Sequence, residues 1–171
     1  SAESCKLEDN ALVPHTHKLQ ILCAEDFVTN QLIIRTLLED MGHEVEIADN
    51  GLIALNMLAN RHYDLVLMDG RMPEMDGFDA ARTIRGGQWQ GKPLKQTAIK
   101  IVALTANVTD EDREKFIRAG MDDFLCKPIN ETELHLVIES TINGLLDQGR
   151  ALNPLIQIST SELDDLFSVS E

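Results

Sequence analysis

Asp64-Leu65-Val66-Leu67-Met68-Asp69 is a short apolar run that ends in a carboxylate, and Gly70-Arg71-Met72-Pro73-Glu74-Met75-Asp76-Gly77 follows it directly. The first part reads as a strand and the second as a rigid loop punctuated by Pro73 and Gly77. Upstream, Leu19 to Ala24 reads as a buried strand that runs out at Glu25-Asp26, and Glu44 to Ala48 alternates as another. Between those two, Thr29 or Asn30 can cap a helix whose apolar residues Ile33, Ile34, Leu37, Leu38 and Met41 recur at helical spacing until Gly42. The turn signal Asp49-Asn50-Gly51 then opens a second helix through Leu55, Leu58 and Ala59.

Downstream the alternation continues. Phe78, Ala81 and Ile84 predict a third helix that stops at Gly86-Gly87, and the stretch to Thr97, broken again by Gly91 and Pro93, reads as a loop. Ile99 to Leu104 is a fourth strand, Thr109 with Asp112 caps a charged fourth helix ending at Gly120, and Asp123 to Cys126 is a fifth strand. Asn130 and Glu133 start a last helix through Leu134, Val137, Ile138, Thr141 and Leu145. Five βα units in succession predict an α/β fold, a doubly wound parallel sheet with helices on both faces. Residues 18–147 form this domain. Residues 1–17 read as a flexible flank and 148–171 as a tail, both linker-like. In the tail, Leu163, Leu166 and Phe167 follow a cap at Ser161 with helical spacing, the pattern of either a short docking helix or a frayed end.

The chain has 171 residues, 43% hydrophobic and 26% charged, which fits a globular protein with a real core. Fifteen Lys and Arg stand against 29 Asp and Glu, a net charge of −14 that repels phosphate backbones and anionic lipid surfaces. Neither nucleic-acid binding by this segment nor direct membrane contact is expected. No apolar run approaches the ~20 residues that span a bilayer, and no secretory signal opens the sequence. The start at Ser1-Ala2 without Met reads as a piece of a longer protein, and the residues after the last helix are too few for an output domain. Cys5, Cys23 and Cys126 are odd in number and widely spaced, so no disulfide or zinc site is expected and a reducing, cytoplasmic setting fits.

In an open parallel sheet, ligands bind beyond the carboxyl ends of the strands. Those ends carry Glu25-Asp26, Asp69, Thr105 and Lys127-Pro128. Three carboxylates brought together repel one another unless a cation intervenes. All-oxygen ligation without His or Cys selects a hard ion such as Mg2+, which keeps waters and leaves room for phosphoryl oxygens. Lys127 adds a point charge suited to the same group.

The sequence resembles the receiver domain of two-component response regulators over about Lys18 to Leu146. The likeness is carried by Glu25-Asp26, Met68-Asp69-x-x-Met72-Pro73-x-Met75-Asp76-Gly77, Leu104-Thr105-Ala106 and Lys127-Pro128. It implies a flavodoxin-like (βα)5 fold of strand order 2-1-3-4-5 and a phosphorelay function. By the resemblance, Asp69 is the phosphoacceptor, served by a histidine kinase or a histidine phosphotransfer domain. Asp26 and Asp69 bind Mg2+ directly, Glu25 binds through water, and the Arg71 carbonyl completes the set. Thr105 and Lys127 hold the phosphoryl oxygens, and Phe124 is the ring that moves when Thr105 is drawn inward. Arg71 and Asn107 tune the phosphoryl lifetime, and the face of the fourth helix, fifth strand and fifth helix is the output surface, where a homodimer can form. The long Gly86 to Thr97 loop and Leu104-Thr105-Ala106-Asn107 look like receivers fused to hybrid histidine kinases, which implies the cytoplasmic part of a membrane-anchored kinase. Departures are Phe27 where relatives often carry Asn, Gly70 where a larger residue is usual, and Phe124, which lacks a Tyr hydroxyl.

A carboxylate nucleophile needs no general base, because an ionised Asp69 has no proton to lose. The expected activity is self-catalysed phosphorylation and slow hydrolysis, not turnover. Two other readings fit part of the pattern. A haloacid-dehalogenase-like phosphatase also uses a strand-end Asp and Mg2+, but wants a second Asp where Arg71 stands. A scaffold that is never phosphorylated keeps the fold without the chemistry. Elsewhere the plain readings suffice: His15, His17, His43, His62 and His135 as surface residues, Cys23 and Cys126 as buried small hydrophobes, Trp89 as a cover for the core, Met68, Met72 and Met75 as packing, and Asp110 to Lys115 as a solvated helix face.

Overall fold

The computed structural model describes residues 12–155. Its strands are β1 (His17–Lys18), β2 (Gln20–Ala24), β3 (Glu44–Ala48), β4 (Leu65–Asp69), β5 (Gln88–Trp89), β6 (Lys92–Pro93), β7 (Lys100–Thr105), β8 (Asp123–Cys126) and β9 (Asn153–Pro154). The helices are α1 (Val28–Asp40), α2 (Gly51–Asn60), α3 (Gly77–Gly86), α4 (Asp110–Ala119) and α5 (Glu131–Asp147). Five strands pair in parallel in the order β3-β2-β4-β7-β8, which is the predicted 2-1-3-4-5 order, so strand sequence reverses beside β2 and β4.

Side chains alternate across the sheet with period two, and this alternation builds two cores. Leu22, Ala24, Val66, Met68, Ile101 and Ala103 pack under Leu55 and Leu58 of α2, Ile84 of α3 and Phe116 of α4. Ile21, Cys23, Leu65, Leu67, Val102 and Leu104 pack on the opposite face under Ile34 and Leu38 of α1 and Leu134 and Ile138 of α5. All four residues of the Leu65-Val66-Leu67-Met68 run are fully buried. Each such side chain stabilises the fold by about 1.5–3 kcal/mol through removal from water. Truncating Leu67 to Ala would cost about 2–5 kcal/mol, since the cavity left between sheet and helices collapses only in part.

Caps explain most helix boundaries. Asn50, Asp76 and Asn130 accept backbone N–H bonds from Ile53, Asp79 and Glu133, and Thr109 with Asp112 forms the expected capping box. Gly87 and Gly120 end α3 and α4 in the left-handed conformation, with φ of 81° and 90°. The cap of α1 differs from expectation. Thr29 and Asn30 lie inside the helix and Phe27 is the N-cap, without a side-chain hydrogen bond. The Glu25 carboxylate serves instead, its Oε1 accepting from the Phe27 N–H at 3.1 Å and from Asn30 Nδ2 at 3.3 Å. Ile33, read as a core position, is exposed.

Other sequence readings are corrected as well. Within the stretch read as a loop, β5 and β6 form a hairpin whose two-residue turn, Gln90-Gly91, has φ of 49° and 76°, the mirror-image turn that matches strand twist. Trp89 does cover the core, and its Nε1 donates to Asn56 Oδ1 at 3.1 Å. The parts of the flanks nearest the domain are built into it: β1 pairs antiparallel with β9, and the Leu155 N–H donates to the Thr16 carbonyl at 2.9 Å. Arg150 bonds Asp64 and His62 at 2.8 Å each. His15, His43 and His135 are buried, contrary to the surface reading. Cys23 is buried but Cys126 is exposed, because Cys126 ends its strand. The proposed tail helix over 161–167 lies outside the described residues.

Candidate functional site

Parallel strands of similar length place their last residues on one rim, and here β2, β4, β7 and β8 deliver charged and hydroxyl side chains to it. Asp69 closes β4, opposite Leu104 of β7 in the ladder. Glu25 and Asp26 follow β2, Thr105 ends β7 and Lys127 follows β8. Oxygens from Glu25, Asp26 and Asp69 lie within 4.8 Å of one another, the spacing of groups that share one cation. Glu25 is fully buried, Asp69 nearly so and Asp26 exposed.

Lys127 binds this cluster together. Its Nζ is 2.9 Å from Asp69 Oδ2 and 2.9 Å from Glu25 Oε2. The peptide bond between Lys127 and Pro128 is cis. The Arg71 N–H donates to the other Asp69 oxygen at 3.1 Å, so the carboxylate is oriented from both sides. Burial, aided by the nearby Glu25 charge, pushes the Asp69 carboxyl up to about 6, although the bonds from Lys127 and Arg71 pull the other way. At Lys127, burial disfavours the ammonium, but its bonds to Asp69 and Glu25 outweigh that and hold the pKa above the ordinary lysine value. A buried carboxylate cluster with one ammonium is still short of positive charge, which suits the donor set to a hard divalent cation.

The loop after Asp69 folds back tightly. The Gly77 N–H donates to the Gly70 carbonyl at 3.1 Å, and a β carbon on Gly77 would sit 2.1 Å from the Asp69 carbonyl oxygen. Only glycine permits that approach. Beside Asp69 opens a cleft of about 460 Å3 lined by Arg71, Thr105, Asn107 and Lys127 and by Phe78, Phe116, Asp112 and Lys115. Asp69, Thr105 and Lys127 line this cleft, while Glu25 and Asp26 join it through the acidic cluster at Asp69. The Thr105 hydroxyl is turned away within it, donating to the Asn107 carbonyl at 2.7 Å. Phe124 is half-buried, 6.4 Å from the Phe116 ring, with the Arg113 guanidinium 5.2 Å over its face.

Sequence reasoning missed Gln31, whose Nε2 donates to the Glu25 carbonyl at 2.6 Å and to Asp49 Oδ1 at 2.9 Å. It also missed Lys115 and Arg113. All three sit on helix faces that carry no apolar period, so no local signal marks them.

The fold and this rim define a doubly wound α/β signalling module with an acidic pocket at its topological switch point. Residues 21–139 match the response regulator receiver domain family, and the chain belongs to it. It is thus a receiver domain of the two-component phosphorelay type, and the phosphatase alternative is not favoured. The chain is 43% identical over 131 residues, 76% of its length, to the sensor histidine kinase GacS of Pseudomonas protegens. It is 36% identical over 156 residues, 89% of its length, to the signal transduction histidine-protein kinase BarA of Escherichia coli. It spans only 14% and 16% of those two proteins. Among solved structures, it is similar to the receiver domain of sensor histidine kinase PA1611 from Pseudomonas aeruginosa, described with a magnesium ion coordinated in the active site cleft. That match has 36% identity and a TM-score of 0.64 over 74% of this chain and 98% of that one. A chain in the Saccharomyces cerevisiae co-crystal of the histidine phosphotransfer protein Ypd1 and the receiver of Ssk1 matches at 30% identity and a TM-score of 0.60, covering 74% and 88%. Among the described residues, no helix is long and apolar enough to cross a membrane.

Proposed function

We propose that Asp69 accepts a phosphoryl group from a phosphohistidine partner, a histidine kinase or a histidine phosphotransfer protein. The observation that carries this is the Lys127 ammonium at 2.9 Å from both Asp69 and Glu25, at the mouth of a cleft large enough for a phosphoryl group. Asp69 Oδ forms a bond to phosphorus as the phosphorus–nitrogen bond of the donor breaks, and the imidazole leaves with that electron pair. No proton moves on Asp69, and catalysis is positioning plus charge neutralisation. Asp26 and Asp69 would hold Mg2+, with the Arg71 carbonyl and, through water, Glu25. When bound, the ion offsets charge on the phosphoryl oxygens. Glu25 suits an indirect role because its oxygens already serve Phe27, Asn30 and Lys127.

Lys127 takes one phosphoryl oxygen. Thr105 takes another by exchanging its bond to Asn107 for one to phosphate, and Phe124 moves into the vacated volume; that rearrangement biases the face of α4, β8 and α5, where exposed Ile117 offers an apolar contact for a partner or a second copy. Arg71 and Asn107 flank the cleft and set how readily water reaches the acyl phosphate. The exposed apolar residues Phe27, Val28 and Leu32 begin one residue beyond Asp26 and give a protein donor something to dock on. The domain 18–147 belongs, on this reading, to a hybrid histidine kinase and works on its cytoplasmic side. Incubation with acetyl phosphate and Mg2+ should add about 80 Da, the net mass of one phosphoryl group. The addition should be blocked by EDTA and absent in Asp69→Asn; an unmodified wild type would favour the unphosphorylated scaffold.

A further inference from the structure

Three buried histidines lie outside the phosphoacceptor site and join the segment before β1 to the domain. The Leu19 N–H donates to His43 Nδ1 at 3.0 Å, so that nitrogen carries no proton. A neutral His43 must therefore carry its hydrogen on Nε2, 2.8 Å from His15 Nδ1. The other end gives the same answer independently. His15 Nε2 is 3.0 Å from the His135 carbonyl and must donate to it, which leaves His15 Nδ1 free to accept. His135 Nε2 then donates to the Val13 carbonyl at 2.7 Å, while its Nδ1 is buried with no partner. The backbone groups at the two ends permit one set of tautomers, all neutral and all protonated on Nε2.

We propose that the His15–His43–His135 chain is a proton-sensitive clasp, closed while the rings are neutral and opened by proton uptake, which releases residues 12–17 from the domain. A second proton on His43 falls on Nδ1 and faces the Leu19 N–H. A second proton on His15 falls on Nδ1 and faces the His43 N–H. The first breaks the Leu19–His43 bond at the base of the chain, and the second sets donor against donor at the His43–His15 bond, one of those that tether the flank. The ring of His15 also stacks on His135 with centroids 3.9 Å apart, so charging both brings like charges into contact.

Burial sets the sign at His43 and His15, against the acidic groups nearby. Burial lowers the pKa of His43 to about 4, and His15, His135 and Lys18 add to that. Lys18 is itself paired with Glu44 at 2.7 Å. Burial likewise lowers the pKa of His15, and Glu139 on α5 opposes it without prevailing. Asp40 of α1 and Glu131 of α5 line the adjoining cavity. The closed form binds fewer protons than the open form, so falling pH favours opening.

Ring 15N NMR and backbone relaxation on the full chain test this. At about pH 7.5 all three rings should be Nε2–H tautomers, a neutral form above the ordinary histidine range. On titration towards about pH 4.5, order parameters of residues 13–17 should fall from about 0.85 to below about 0.6 while Leu67 and Val102 stay ordered. His15→Phe keeps a ring on His135 but removes the nitrogen that links His43 to the flank, so protonation of His43 no longer reaches residues 13–17 and the pH step there should be abolished. An Nδ1–H tautomer in any of the three rings at neutral pH, an unchanged flank at the lower pH, a step that persists in His15→Phe, or loss of the core in the same step would each overturn the proposal.

Discussion

Lys127 holds its Nζ 2.9 Å from Oδ2 of Asp69, although 58 residues separate the two in sequence. The same ammonium also faces Glu25, so one positive charge is shared between two carboxylates and the cluster keeps a net negative charge for a cation to offset. Lys127→Ala should leave the fold intact but slow phosphorylation from acetyl phosphate by about 10²-fold or more, since one preorganised charge on the transferring group is lost. Phosphorylation rates by intact mass against time check it.

Gly77→Ala should fail differently. The added methyl meets the Asp69 carbonyl at 2.1 Å and Met68 Cγ at 2.9 Å, and neither is the free end of a flexible chain. The loop must move and carry Asp69 with it, at a cost of about 1–3 kcal/mol in urea unfolding. Weaker Mg2+ binding, followed by calorimetry, should accompany that loss.

The raised Asp69 carboxyl makes a prediction about pH. Its folded value of about 6 lies above the ordinary value of 3.8, so the folded state binds the proton more tightly than the unfolded state does. Stability from this group is therefore present below pH 3.8 and lost as pH rises through 6. Asp69→Asn should stabilise the metal-free protein at neutral pH, by on the order of 2 kcal/mol, and the gain should vanish in acid. Mg2+ should shrink the difference, because it stabilises the ionised carboxylate of the wild type.

Thr105→Ala removes the hydroxyl that now bonds Asn107 and, on the proposed switch, would turn to phosphate. It should still accept the phosphoryl group within about tenfold of the wild-type rate while losing the phosphorylation-dependent change at Phe124. The aromatic ring resonances of Phe124, with and without acetyl phosphate, report on the wild type and the variant. Unequal shifts in the wild type and none in the variant are expected.

Val28→Asp or Leu32→Asp should separate docking from chemistry. Both residues are exposed, 65% and 59%, and neither lines the cleft. Transfer from a phosphorylated histidine phosphotransfer protein should slow by about tenfold or more, as expected when a charge enters an apolar contact. Labelling by acetyl phosphate should not change.

Most of the site was legible because chain connectivity does the positioning. Once β2, β4, β7 and β8 are recognised as parallel strands, Glu25-Asp26, Asp69, Thr105 and Lys127 have only one rim on which to meet. What escaped depends on contacts that leave no local period. The cap of α1 is supplied by Glu25 from outside the helix, so the acceptable caps Thr29 and Asn30 misled. The hairpin β5–β6 has strands of two residues, too short to alternate. His15 meets His135 across 120 residues, and single histidines in a polar flank carry no sign of that partnership. Gln31 and Arg113 touch the site from helix surfaces where polar residues are ordinary.

The pairing of β1 with β9 has a mechanical consequence. His17 lies opposite Pro154 and Lys18 opposite Asn153, so the polypeptide enters and leaves the body side by side. Tension applied between residues 16 and 155 pulls this ladder apart from its open end, one hydrogen bond after another, and does not shear it along its length. The parallel sheet and its acidic rim bear load only after that short zipper has yielded, which makes the β1–β9 contact a fuse for a domain tethered at both ends.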